Sequence, residues 1–261
     1  MNSVTYQKLE KQPLLFVLAE FRFPVIMQME KYISNLQESF RTEFPYFEEQ
    51  LSQEVKLQAQ GFEVMSSNQW VFIDKNRRKA VIVSPYRIVC VTSDYNRFDG
   101  FSAFCLKSID IFKKITNPAF VSRIGLRYSD LIIPIDQNSV KTFVQPTLYN
   151  VEHLDCIGKL SHKINEILFT TQQGNMMIRS LYGEHNLSVL PDANNLPIKI
   201  NAVDHVCERM ILDFDHIWES SEETDLMFDR DMILKKLNNM HNLSREAFWK
   251  CTTEEGRELW K

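Results

Sequence analysis

Residues 57–92 of this 261-residue chain, LQAQGFEVMSSNQWVFIDKNRRKAVIVSPYRIVCVT, decide the fold class. They contain four short segments rich in β-branched and aromatic residues, at 57–65, 69–74, 80–84 and 87–92. Turn-forming or strongly solvated residues separate these segments at 66–68, 75–78 and 85–86. Such spacing is typical of strands joined by tight connections. The stretch therefore predicts an antiparallel meander of four strands.

Outside the meander, the first half of the chain predicts one more strand and two helices. Residues 13–23 are a β-rich apolar run that Pro24 ends, because proline lacks the backbone donor that a central strand needs. Apolar residues then recur at steps of three and four, predicting a helix that Pro45 ends. After the meander, Asp99 is the expected N-cap of a second amphipathic helix that reaches Ile115.

The second half of the chain repeats the order of strands followed by helices. Residues 120–135 predict a long strand, and residues 137–158 form a soft internal boundary with little periodicity. Further strands are expected at 163–172, 175–182 and 207–218. Two capping-box pairs, Ser220 with Glu223 and Thr252 with Glu255, predict the starts of two closing helices, the first ending at Asn242.

Because strands cluster in meanders rather than alternating with helices, the sequence predicts the α+β class. We expect antiparallel meander sheets in two successive halves, each followed by amphipathic helices, with a helical C-terminal cap. A chain of this length buries enough surface to fold without a metal or disulfide. We expect residues 1–261 to form a single cooperative unit.

Composition excludes several functional classes. The 30 Lys and Arg residues are scattered among 34 Asp and Glu residues, which disfavours non-specific nucleic-acid binding. No apolar run reaches the roughly 18 residues of a membrane span, and the polar N-terminus lacks a signal core. The five cysteines lie far apart, mostly beside apolar residues, as in proteins of a reducing compartment. These features predict a soluble cytoplasmic protein that does not interact with membranes.

A search for catalytic and cofactor motifs finds none of the compact ones. The seven glycines form no phosphate-binding or dinucleotide loop, and the sequence has no nucleophile elbow. No paired Cys or His spacing typical of zinc is present. We therefore expect no cofactor, no bound metal and no assigned catalytic residue.

Two charged strands are the most chemically suggestive parts of the sequence. Strand alternation places Arg123 and Arg127 on one side of their strand, and Asp213 and Asp215 on one side of another. Two arginines so placed form either an anion pocket or a salt-bridge ladder with the two aspartates. The aspartates alternatively hold a divalent ion for hydrolysis. The candidate binding residues are Arg123, Arg127, Tyr128, Asp213, Asp215 and His216.

Several landmarks in a fixed order resemble an uncharacterised prokaryotic family of about 260 residues that is sporadically distributed. They are Glu20-x-Arg22-Phe23-Pro24, Phe44-Pro45, Trp70-x-Phe72-x-Asp74, Tyr95-x-x-Phe98-x-x-Phe101, Arg123-Ile124-Gly125-Leu126-Arg127-Tyr128, Asp213-x-Asp215 and Leu237-x-x-x-His241 before Phe248. The family has no established activity, so the resemblance implies no catalytic residue. Its patchy distribution looks like that of toxin–antitoxin, immunity or phage-defence genes, an association and not a mechanism.

The function expected from these observations is protein binding without catalysis. The chain would be an antitoxin, immunity or phage-defence component that holds a partner, encoded by a neighbouring gene, on a sheet face. Its net charge of −4 suits a basic partner, and a homo-oligomer is also compatible with the sequence. The alternatives are a sensor that binds a small anion such as a nucleotide through Arg123 and Arg127, and a metal-dependent hydrolase that uses Asp213 and Asp215.

Overall fold

A computed structural model describes residues 6–58, 61–154, 156–221 and 226–261, except for the side chains of residues 52–66. The strands in these ranges are β1 (Leu14–Arg22), β2 (Tyr46–Gln58), β3 (Gly61–Ile73), β4 (Lys79–Ser84), β5 (Arg87–Thr92), β6 (Phe120–Val121), β7 (Arg123–Ile132), β8 (His162–Thr171), β9 (Gly174–His185), β10 (Cys207–Glu219) and β11 (Leu226–Met227). The α-helices are α1 (Glu30–Phe40), α2 (Phe98–Thr116), α3 (Val140–Phe143), α4 (Arg230–Cys251) and α5 (Glu254–Leu259).

Nine of these strands form one sheet in the order β2-β3-β4-β5-β1-β7-β10-β9-β8. Every neighbouring pair is antiparallel. The two halves of the chain meet where β7 pairs with β10, from Met210 opposite Ile132 to Glu219 opposite Arg123. The predicted α+β class is confirmed, and the strands of both halves belong to the same sheet.

Helices α1, α2 and α4 cover one face of the sheet, which we call the helix face. Strand alternation points every second side chain toward this layer, and the helices bury their apolar stripes against it. The fully or almost fully buried side chains of this core include Phe21, Leu126, Phe214, Leu36, Phe112 and Leu237. Each such side chain contributes about 1.5–3 kcal/mol of burial free energy.

The opposite face, which we call the second face, is partly covered by the chain itself. The segment 187–203 crosses it and packs Val189, Leu190 and Ile198 against strand residues. The fully buried Arg209 side chain fixes this segment by donating hydrogen bonds to the carbonyls of Leu187 and Val203 at 3.2 and 2.9 Å. A second, smaller apolar core lies beneath the segment.

The first predicted hairpin differs from the observed one. Residues 66–68 do not form a turn but lie inside β3, opposite residues 51–53 of β2. Only Trp70–Ile73 of β3 pair with β4, so most of the β2–β3 hairpin extends past the end of β4 as a two-stranded ribbon. Strand β2 was not predicted because a two-stranded ribbon outside the core needs no apolar alternation. The ribbon is held together by hydrogen bonds between the main-chain groups of β2 and β3.

The predicted helix boundaries also differ near the C-terminus. Helix α4 begins at Arg230, where the Asp229 side chain accepts hydrogen bonds from the amides of residues 231 and 232. It continues past Asn242 to Cys251. Ser220 is therefore not the N-cap of this helix, and Glu223 lies outside the described residues. Helix α5 is capped by Thr253 rather than by Thr252, and α2 begins at Phe98, one residue before the predicted cap.

Candidate functional site

The six residues predicted to bind a ligand or partner lie on opposite faces of the sheet. Arg123, Arg127, Asp213 and Asp215 extend from the second face, whereas Tyr128 and His216 point into the helix face. This division follows the predicted alternation of β7 and β10. The six residues therefore do not form one site.

Arg127 and Asp213 form the centre of a closed ion-pair network on the second face. The Arg127 Nε donates to the two carboxylate oxygens of Asp213 at 3.1 and 2.9 Å. Arg179 on β9 donates to Asp213 at 2.9 Å, and both arginines donate to Asp192 at 3.0–3.1 Å. Two arginines and two aspartates thus alternate around a ring, and each arginine contacts both carboxylates.

Burial makes this network tightly constrained. The Asp213 side chain is fully buried and the Arg127 side chain is 10% exposed. Burial opposes the charge of Arg127, but Asp213 and Asp192 outweigh this cost and raise its pKa. Burial likewise opposes the charge of Asp192, and its hydrogen bond from Arg127 nevertheless lowers its pKa. The arrangement is a salt-bridge ladder across three strands, with two matched charges of each sign.

Arg123 belongs to a different cluster. Glu20 on β1 lies within 3.4 Å of Arg123 and also pairs with Arg22 and Arg87, at 2.7 and 3.1 Å. Burial would raise the pKa of Glu20, but the three arginines lower it. Asp215 joins neither cluster, and burial raises its pKa above the ordinary value. The predicted ladder is therefore formed by Arg127 and Asp213, whereas Arg123 and Asp215 take no part in it.

Tyr128 and His216 are held by the packing of the helix face. The Tyr128 hydroxyl lies 2.8 Å from Nδ1 of His241 on α4. Nδ1 of His216 lies 3.3 Å from the Met240 carbonyl, and burial lowers the pKa of this histidine. His216 is thus a buried residue of the core, separated by the sheet from Asp213 and Asp215.

Neither a metal centre nor a membrane span is found in the part of the chain that the structure describes. Its His, Cys, Asp and Glu side chains form no group of three or more that could hold a metal ion. Its helices are too short or too polar to cross a bilayer.

The outer edge of the sheet at β8 exposes several apolar side chains on a regular element. Strand β8 is last in the strand order, so every second N–H and C=O group along it points away from the sheet. Its apolar side chains project on both faces and are 43–67% exposed: Ile164, Ile167, Leu168 and Phe169. The β8–β9 ladder has no register shift, and β8 contains no proline. The devices that usually protect an edge strand are thus missing from its second half.

Further exposed apolar side chains lie in the segment before β8. Leu154, Ile157 and Leu160 are 45%, 79% and 37% exposed. On the helix face, the start of β8 is covered because Lys163 donates to the carbonyls of Thr147 and Asn150. On the second face Ile164 is 67% exposed, so the uncovered part of β8 consists of Ile164 and the run from Ile167 to Phe169. We call this surface the β8 edge.

Sequence reasoning located β8 but did not identify it as an edge. Its sequence, HKINEILFTT, places three consecutive apolar residues on a strand whose neighbours are polar. Adjacent apolar residues face opposite sides of a sheet, so the run indicates either burial on both sides or an unprotected edge. Asp192 and Arg179 were missed for a different reason. The first lies in a connection without periodicity, and the second pairs only through the fold.

Comparisons with family models and curated proteins provide no functional information, so the proposed function rests on the geometry of the site. No model of a known family matches the chain, and a search of curated proteins finds no match either.

Proposed function

We propose that this chain is a protein-binding protein that takes up an extended segment of a partner along the β8 edge. Strand addition supplies affinity through main-chain hydrogen bonds and specificity through alternate side chains. The observation that carries the proposal is the unprotected second half of β8, where Ile167, Leu168 and Phe169 are all exposed. The expected partner segment is extended and apolar at alternate positions.

The proposal locates the partner at the sheet edge instead of a sheet face. Helices cover the helix face, and the segment 187–203 covers part of the second face. The remainder of the second face carries the charged clusters of Glu20 and Asp213, whose partners lie within the chain. Docking on either face would require the helices, the segment 187–203 or the ion pairs to rearrange, whereas docking at β8 requires no rearrangement.

The two other expected functions have weaker support. An anion sensor using Arg123 and Arg127 would have to compete with Glu20, Asp192 and Asp213 for the two guanidinium groups. A hydrolase using Asp213 would have to release that carboxylate from two arginines. The role of antitoxin, immunity or phage-defence component rests on the family resemblance, and a partner-binding edge is compatible with it.

The test is quantitative recovery of partners from the host with tagged protein. Leu168→Lys places a charge in the β8 edge at a side chain that is already 60% exposed, so the fold is expected to persist. Leu51→Lys is the matched control, because Leu51 is 64% exposed on β2 at the opposite edge. We expect a stoichiometric partner with wild type and the control, and at least about tenfold less with Leu168→Lys.

Hydrogen exchange then locates the contact. In the purified complex, amides of β8 should be protected relative to the free chain, because a docked strand pairs with them. If the partner is a second copy, wild type will dimerise with concentration and Leu168→Lys will remain monomeric. Equal partner recovery by both variants, or unchanged exchange along β8, would refute the proposal.

A further inference from the structure

A cavity that opens to solvent on the helix face has a chemical character different from that of the β8 edge. It has a volume of about 310 Å³, within the usual range for small-molecule sites. Its walls are the N-terminal segment around Tyr6, the loop before α2, helix α4 and strands β7 and β10. The lining combines polar residues with a group of aromatic side chains that includes Tyr95, Tyr128, Phe214, Phe248 and Trp249.

One carboxyl group faces this aromatic space without a partner. Asp130 lines the cavity and is only 4% exposed. Its neighbours across the two adjacent strands are Leu14 and Leu212, neither of which has a polar side chain. Among the described residues, none donates a hydrogen bond to this carboxyl or forms an ion pair with it. Because this carboxyl faces the cavity, a donor bound there can form a hydrogen bond with it.

Two other polar residues of the cavity, Arg245 and His241, have contacts with neighbouring side chains. Arg245 lies 4.0 Å from the centre of the Tyr6 ring and donates to Asn242 at 2.9 Å. His241 stacks on Phe98, with ring centres 4.0 Å apart, and is hydrogen-bonded to Tyr128. Asp130 is therefore a buried carboxyl group of this cavity without a counterpart among the described residues, and Nε of Arg245 is a buried donor atom without a hydrogen-bond partner there.

The remaining titratable groups do not compete for a ligand bound at Asp130. Burial raises the pKa of Tyr95 to about 12 and lowers that of His241 to about 3, so both are neutral near pH 7. Arg97 and Asp99 line the cavity and are exposed, so they lie at its mouth, and Lys8 pairs with Glu10. Burial, assisted by the charge of Asp213, raises the pKa of Asp130 well above its ordinary value.

We propose that this cavity binds a small organic cation, a primary or secondary amine with an apolar or aromatic body, whose ammonium group pairs with Asp130. The aromatic lining favours this class because ring faces attract a desolvated cation. The ammonium N–H groups donate to the carboxylate, and the apolar body packs against Phe214 and Phe248. A neutral ligand would forgo both the ion pair and the cation–π attraction.

Wherever Asp130 is protonated in the free protein, binding of a cation displaces that proton. The carboxylic acid releases this proton to solvent, and the carboxylate then pairs with the ammonium group. At a pH below the pKa of Asp130 in the free protein, one proton is released for each cation that binds. The apparent affinity should then rise with pH by up to about tenfold per unit, until Asp130 is ionised in the free protein.

Calorimetric titration with benzylamine and phenethylamine tests the proposal. Benzyl alcohol and phenethyl alcohol are the neutral controls, and titrations at pH 6 in two buffers of different ionisation enthalpy measure proton release. We expect at least one amine to bind with proton release, and both alcohols to bind at least about tenfold more weakly.

Two matched variants distinguish a site from general attraction. Asp130→Asn keeps the shape of the side chain and should weaken amine binding about 30-fold or more, without proton release. Asp94→Asn makes the same change at an exposed carboxyl outside the cavity and should leave binding within about threefold of wild type, because exposed charges are screened. Melting curves of both variants confirm that the fold is retained.

Three results would overturn the proposal: no amine binding at millimolar concentration, equal binding of the alcohols, or undiminished binding by Asp130→Asn. None of them bears on the β8 edge, because the cavity and the edge share no residue.

Discussion

At the scale of single residues, the pair Arg127 and Asp213 determines the stability of the second face. The fully buried Asp213 accepts hydrogen bonds from two arginines, so Asp213→Ala leaves both without that acceptor. We expect a loss of about 3–5 kcal/mol in the free energy of unfolding. Arg127→Ala should cost about 1–3 kcal/mol, because Arg179 still pairs with Asp213.

A double-mutant cycle in denaturant measures whether these losses are coupled. The double variant should lose less stability than the two single variants together. Asp192→Ala is the control: it removes a half-exposed partner of the same arginines and should cost about 1 kcal/mol or less. A coupling energy near zero would show that Arg127 and Asp213 do not act as a pair.

The titration of His241 makes the free energy of unfolding depend on pH. Burial, with the charge of Arg245, lowers its pKa to about 3 in the folded state, from an ordinary value of 6.5. Between these values the unfolded chain binds more protons, so stability falls as pH falls below 6.5. From pH 7 to pH 5 the contribution of His241 is a loss of about 2 kcal/mol.

His241→Gln removes this titration and should flatten the decline in stability between pH 7 and pH 5. Urea melts at several pH values provide the measurement. His153→Gln, at an exposed position, is the control and should follow wild type. Parallel pH profiles for wild type and His241→Gln would contradict the assignment.

At the scale of elements, the sequence predicted best where a strand or helix packs on the core. Strands β9 and β10 begin and end within a few residues of their predicted limits. Here burial on one face imposes the alternation that sequence reasoning detects. Strand β2 and the start of β3 have no such constraint, because they extend past the end of β4, and the polar residues 66–68 were mistaken for a turn.

The same distinction explains which site residues could be predicted. The two-residue alternation of side chains along a strand was sufficient to assign Arg127 and Asp213 to the correct face. The same alternation also places Asp130 on the apolar side of β7, between Tyr128 and Ile132, so this carboxylate was detectable as an anomaly in the core pattern. Asp192 was not predictable, because it reaches the ladder from a connection whose path depends on the folded sheet.

At the scale of the whole molecule, one sheet unites the two halves of the chain. The β7–β10 pairing runs the full length of β7, and residues of both halves share the core under α4. We therefore expect one cooperative unfolding transition. Thermal melts followed by fluorescence and circular dichroism should coincide.

Limited proteolysis complements this measurement. Cleavage within the soft boundary 137–158 should not release two fragments that each melt independently, because either half alone would expose an unpaired strand at β7 or β10. Two stable fragments with separate transitions would refute the single unit.

The position of β7 inside the sheet also has a consequence during synthesis on the ribosome. Translation completes β1 to β7 well before β10 emerges, so the side of β7 that later receives β10 remains open in the nascent chain. With elongation at roughly 5–20 residues per second, this interval lasts for seconds. The nascent chain thus exposes a strand edge that is paired in the folded protein. We expect ribosome-associated chaperones to bind this edge until β10 is synthesised.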